Sequence, residues 1–189
     1  MWQVLFMFCI IGGVFGQSPG LGACPDVKTV SSIDLSRYAG RWYEAMRFFT
    51  VFELTGKCVT ADYTLIDSNG TVNVVNSQIS TLTNKRSSIE GTAEIVDLAE
   101  PGKLKVTFPS VPIKNSGSYW VLGTDYDSYA AVWSCTSLKI ANLQFGWILT
   151  REKNPPESVI QKATNVFKLN DLKPSKFYKT NQLDCPDDK

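Results

Sequence analysis

Apolar and polar positions alternate along most of this chain in short runs, each closed by turn residues. The runs are Trp42–Arg47, Val59–Leu65, Thr71–Ser80, Ser88–Leu98, Lys103–Phe108, Tyr119–Tyr126, Tyr129–Cys135 and Phe145–Arg151. Period two over such lengths predicts half-buried strands. Asp67-Ser68-Asn69-Gly70, Glu100-Pro101-Gly102 and Asp125 to Ser128 supply turn chemistry between them. Eight antiparallel strands with short turns suit an all-β, up-and-down barrel, which leaves no free edge and can enclose one small ligand. The pattern then changes to helical spacing at Val159, Ile160, Ala163, Val166 and Phe167. Asn154 is the expected N-cap, with Pro155 in the first turn and Glu157 three residues after the cap. One C-terminal α-helix should therefore pack its apolar face on the outside of the barrel. The tail from Lys176 to Cys185 reads as a returning extended segment.

Side-chain parity separates inside from outside. If Trp42 points inward, so do Glu44, Met46 and Phe48. If Arg151 points inward, so do Leu149, Trp147, Phe145 and Leu143. Arg151 can then lie over the Trp42 indole at one end, a cation–π contact worth about 0.5–2 kcal/mol. Its donors can cap carbonyls of Asp34–Ala39, which would plug that end. Tyr129 and Trp133 share one face of their strand. Glu44 is out of place on an inner face, because a lone buried carboxylate is costly. It needs a cation or water near the barrel floor, or the parity breaks.

The first 16 residues carry no Asp, Glu, Lys or Arg and hold an apolar core, which reads as a secretory signal peptide ending at Gly16. The stretch is short for a membrane span of about 20 apolar residues. Residues 17–189 suit one domain. The chain has 19 Lys and Arg against 18 Asp and Glu, a net charge of +1, which gives no reason to expect nucleic-acid binding. With Cys9 in the leader, Cys24, Cys58, Cys135 and Cys185 remain, an even set that allows three pairings in an oxidising compartment. Asn69-Gly70-Thr71 is both a hairpin turn and a glycosylation acceptor at Asn69. No histidine is present, which excludes Ser-His-Asp and Cys-His catalysis and histidine-rich zinc sites. The cysteines lack metal-ligand spacing, so no metal is expected.

Gly40-Arg41-Trp42-Tyr43 at a strand start, Thr124-Asp125-Tyr126 at a corner and a late Trp147-Ile148-Leu149-Thr150-Arg151, in that order, resemble the signature motifs of the lipocalins. Cys24-Pro25-Asp26-Val27-Lys28, Gly56-Lys57-Cys58 and Tyr119-Trp120-Val121-Leu122-Gly123 extend the resemblance over essentially the whole mature chain, toward the apolipoprotein D and insect bilin-binding branch. The resemblance implies disulfides Cys24–Cys135 and Cys58–Cys185. It also implies a cavity lined by Met46, Tyr63, Asn76, Gln78, Tyr129, Trp133, Phe145 and Trp147. For Tyr129 and Trp133 plain core packing competes with that role, and for Asn76 and Gln78 a solvent-facing strand does. Trp42 and Arg151 are expected to be structural.

The function so implied is secreted transport of a small hydrophobic ligand: a fatty acid, sterol, retinoid or bilin. No cofactor is required. A non-covalent, biliverdin-type bilin is one candidate guest, although Gln78 stands where a bilin-binding relative would be expected to have a histidine. Phe48, Phe49 and Phe52 after the first strand, and Val111 and Ile113 after the fifth, make two greasy loops near the mouth. They are expected either to touch a lipid or lipoprotein surface or to fold inward as a lid. A pigment-binding subunit or lipid-surface interaction protein, monomeric or weakly homo-oligomeric, is the alternative. A lipid isomerase is a third reading, and it would need a free thiol.

Overall fold

A computed structural model describes residues 18–48, 56–67, 70–111 and 116–186. The eight predicted runs are all strands: β2 (Gly40–Phe48), β3 (Gly56–Leu65), β4 (Val72–Ser80), β5 (Arg86–Ile95), β6 (Lys103–Thr107), β7 (Ser116–Thr124), β8 (Tyr129–Ser137) and β9 (Ala141–Thr150). Each pairs antiparallel with the next, and β9 returns to pair with β2, which closes the barrel. Two short strands were not foreseen as such. β1 (Ser18–Leu21) pairs with the start of β9, and β10 (Phe177–Lys179) pairs with Met46–Phe48 of β2, beyond the stretch of β2 that pairs with β3. They cover backbone edges that the closed barrel would otherwise leave bare. A single helical turn, α1 (Leu35–Tyr38), lies across one end, capped by Asp34, whose Oδ1 accepts from the Ser36 and Arg37 amides.

The second helix, α2, runs from Glu157 to Leu169 and starts later than its sequence signals suggest. Asn154 is not the cap; Pro156 is. The cause lies in the two prolines. A residue that precedes proline is pushed out of the α region, so neither Asn154 nor Pro155 can take helical geometry before Pro156. The helix packs on the outer face of β7, β8 and β9, with Ala163 and Phe167 wholly buried.

The apolar residues therefore divide between two cores. An inner one, with Trp42, Tyr63, Val72, Val74, Val121, Val132 and Leu149, lies within the barrel. An outer one, with Phe48, Leu122, Ala131, Trp133, Ile148, Ala163 and Phe167, is sandwiched beneath α2. Disulfides Cys24–Cys135 and Cys58–Cys185 tie the two terminal segments to the barrel.

One irregularity decides which side chains reach the interior. On β2, Glu44 pairs with Leu149 and Met46 with Ile148, so Ala45 is an extra residue in a β-bulge. The alternation that begins at Trp42 holds through Glu44 and then inverts. Arg47 turns inward, while Met46 and Phe48 turn outward toward α2 and β10.

Candidate ligand cavity

The closed end is built from backbone carbonyls and one guanidinium. The Arg151 guanidinium carbon lies 3.7 Å from the Trp42 ring centroid. Its nitrogens donate to the carbonyls of Tyr126 (2.9 Å), Arg41 (2.8 Å), Arg37 (2.9 Å) and Ala39 (2.9 Å). The Trp42 indole N–H donates to the Tyr38 carbonyl at 2.8 Å. The Thr124-Asp125-Tyr126 corner is locked alongside. Thr124 Oγ1 donates to the Tyr129 carbonyl at 2.7 Å, and Asp125 accepts from the Ser128 and Tyr129 amides and from the Ser128 hydroxyl. Partial burial pushes the Asp125 carboxyl up, but those hydrogen bonds outweigh it and hold the group below its ordinary value.

Above this floor lies a cavity of about 460 Å³. Much of its wall is aliphatic, with Val72, Val74, Ala93, Leu104, Val106 and Leu149 projecting from four strands. Trp147 stands on one side, stacked against Phe145 with ring centroids 5.9 Å apart and planes 5° from parallel. A volume of this size, with polar groups set into a mainly apolar surface, is typical of a small-molecule site.

Beside the hydroxyl residues Thr60, Ser77, Ser87, Ser88 and Ser118, three sets of polar groups line it. Deepest are three tyrosines. The Tyr119 hydroxyl lies 2.8 Å from that of Tyr38 and 3.0 Å from that of Tyr63. Burial pushes all three phenols up, Tyr63 to about 12, with Tyr38 and Tyr119 also well above their ordinary value. On the wall, Glu44 and Arg47 face the cavity as a buried ion pair at 2.9 Å, and Thr180 donates its hydroxyl to the Glu44 carboxylate at 2.5 Å. Toward the mouth are Asn76 and Gln78, and Asn76 Oδ1 is buried without a hydrogen-bond partner.

Of the residues expected to line a cavity, Tyr63, Asn76, Gln78 and Trp147 are brought together there. Phe145 shares their face and backs Trp147 from the mouth side without forming part of the cavity wall. Met46, Tyr129 and Trp133 are elsewhere. Met46 is turned out by the Ala45 bulge. Tyr129 and Trp133 do share a face, but it is the outer one, where Trp133 is wholly buried beside Trp120 under α2. A helix-covered barrel wall is apolar on both faces, so the largest rings in β8 fill the outer core while Ala130 and Val132 face inward and leave room.

Phe48, expected at the mouth, is instead buried against Phe167 and Phe177. Val111 sits half-buried in the turn after β6. Phe49, Phe52, Ile113 and the sequon residue Asn69 lie outside the described residues, as does the leader. The four described cysteines are all in disulfides, so none offers the thiol an isomerase would need. Sequence reasoning did not place Tyr38, Tyr119 or Arg47 in the cavity. For Arg47 a signal existed, since an inward Glu44 needs a cation.

The Lipocalin-like domain family matches residues 33–182. Apolipoprotein D of Macaca fascicularis is 34% identical, with 99% of each chain covered. The bilin-binding protein of Pieris brassicae is 32% identical over 80% of this chain and 79% of its own. Among solved structures, insecticyanin of the tobacco hornworm Manduca sexta superposes with a TM-score of 0.76 at 31% identity, covering 88% of this chain and 89% of the other.

Proposed function

This chain belongs to the lipocalin family, and from that premise we propose that it is a secreted carrier that holds one small, largely apolar molecule inside its barrel. The cavity of about 460 Å³ carries the proposal: the inner faces of the strands leave a void where a storage-free β-barrel would be filled. Burying roughly 300–400 Å² of a ligand's apolar surface contributes about 8–10 kcal/mol before ordering and desolvation costs. Micromolar to nanomolar affinity is the expected net result. The apolar leader and the two disulfides support an oxidising, extracellular setting.

The lining favours a neutral lipophile such as a sterol or retinoid over a bilin. Arg47 is the one cation among the described lining residues and is bonded to Glu44, whereas a bilin brings two carboxylates and there is no imidazole to meet its pyrroles. Titration of the purified protein with a sterol, retinol, a fatty acid and biliverdin tests this through tryptophan fluorescence. Saturable quenching by at least one of the first three is expected. Silence across the panel overturns the carrier function, and a blue-green protein on purification overturns the preference against bilin.

A second activity is supported at the open rim. Leu82, Leu138 and Ile140 project from two hairpin turns, and Leu21 stands beside them, 96% exposed. Such a rim suits loading and unloading at a lipid surface. Flotation with phosphatidylcholine vesicles should carry the wild-type protein upward and leave a Leu82→Ser, Ile140→Ser variant behind.

A further inference from the structure

The floor of the cavity carries one hydroxyl hydrogen more than the protein uses. Tyr38, Tyr63 and Tyr119 line the cavity with their oxygens joined in a chain, 2.8 and 3.0 Å apart. The raised phenol pKa values mean that each keeps its proton at neutral pH. Three phenols bring three donors, and two hydroxyl–hydroxyl bonds consume two. Whichever way the chain is oriented, one O–H is left over. Among the described residues no other acceptor takes a bond from any of the three. Tyr38 and Tyr63 are only 4% and 6% exposed, so bulk solvent is a poor substitute once a ligand fills the space above them. A buried donor left without a partner is destabilising, whereas a ligand oxygen placed there removes the penalty.

Resting on the carrier function above, we propose that the tyrosine floor is a polar recognition site, selecting ligands whose leading end carries a neutral hydrogen-bond acceptor: a ketone, ester or ether oxygen. The surplus proton is the donor, and the ring of aliphatic side chains above it holds the rest of the molecule. A carboxylate is a poorer match. The floor offers a single spare donor, and the lining's guanidinium, Arg47, is already bonded to Glu44.

A matched pair of probes tests this: cyclododecanone and cyclododecane, which share a ring and differ by one carbonyl. Their affinities are read by displacement of a fluorescent probe from wild type and from a variant carrying Tyr38→Phe, Tyr63→Phe and Tyr119→Phe together. Removing all partners of a hydrogen-bonded cluster while keeping ring shape is close to neutral for folding, unlike removing one. The triple variant should weaken the ketone about three- to tenfold relative to the hydrocarbon, the range expected of one net hydrogen bond. Equal change for both probes, or none, overturns the recognition site while leaving the carrier function standing. Failure of both probes to bind wild type overturns both. Infrared spectroscopy of cyclododecanone bound to wild type gives a readout independent of the variant. The carbonyl band should lie below its position in alkane solvent, and an unshifted band refutes the hydrogen bond.

Discussion

Arg151 lies flat over Trp42, its guanidinium carbon 3.7 Å from the indole centroid, and spends its nitrogens on carbonyls drawn from α1, β2 and the β7–β8 corner. One side chain thus fastens the end of β9 to the start of β2 and to the segment that plugs the barrel. Arg151→Ala should lower stability by about 2–4 kcal/mol, combining the lost stack with carbonyls left to water or to nothing. Arg151→Lys keeps the charge without the planar fork and should recover only part of that loss. Urea denaturation of the two variants against wild type measures both effects, and a Lys variant as stable as wild type would show that charge alone suffices.

This pair was legible in the sequence because both residues sit at strand ends where nothing interrupts the alternation between them and the floor. Trp147 was legible for the same reason. Met46 was not. Reading its side requires knowing that Ala45 is an extra residue, and an alanine leaves no mark in a pattern of large and small apolar positions. Trp133 and Tyr129 failed for a different reason. Their parity was right, but a strand with α2 on one side and a cavity on the other is apolar on both, and periodicity alone cannot say which face is which. Tyr38 belongs to a helical turn rather than a strand, so no alternation pointed it anywhere; only the folded chain brings its hydroxyl to Tyr119.

The bulge also explains why a carboxylate is tolerated on the inner wall. By inverting β2 after Glu44 it turns Arg47 into the same space, and Thr180 from the returning tail adds a donor. Arg47→Met should therefore cost about 3–5 kcal/mol, since it strands Glu44 without its guanidinium. Adding Glu44→Gln to Arg47→Met removes the charge while keeping an acceptor for Thr180, and should restore much of the loss. A double variant no more stable than the single one, measured by thermal melting, would mean that the pair's role is not mutual neutralisation.

Alkaline titration should expose the tyrosine floor. Tyr63 has its phenol pushed up to about 12 by burial, and Tyr38 and Tyr119 move in the same direction. In the unfolded chain these groups ionise near pH 10, as ordinary phenols do. Below that value both states are neutral and the fold keeps its full stability. Between pH about 10 and about 12 only the unfolded chain gains from losing protons, so stability must fall as pH rises through this window. Tyrosinate absorbance should show these three ionising only as the barrel opens. In the triple Phe variant the steep alkaline loss of stability should be shallower, which denaturant titrations at neutral and alkaline pH would reveal.

Ligand binding should be reported by one tryptophan. Among the described residues Trp147 is the single indole on the cavity wall, whereas Trp42 lies beneath the plug against Arg151, and Trp120 and Trp133 pack together on the outer face under α2. A ligand entering the barrel therefore meets Trp147 and leaves the others screened by a layer of backbone. Trp147→Phe should abolish most ligand-induced quenching while keeping an aromatic ring to stack on Phe145, so that affinity measured by probe displacement falls only a fewfold. Trp133→Phe should keep the quenching in full, even though it removes a wholly buried ring and lowers stability. The indole N–H of Trp133 has no hydrogen-bond partner, so packing alone sets that loss. Quenching that survives in Trp147→Phe and disappears in Trp133→Phe would place the ligand outside the barrel, under the helix.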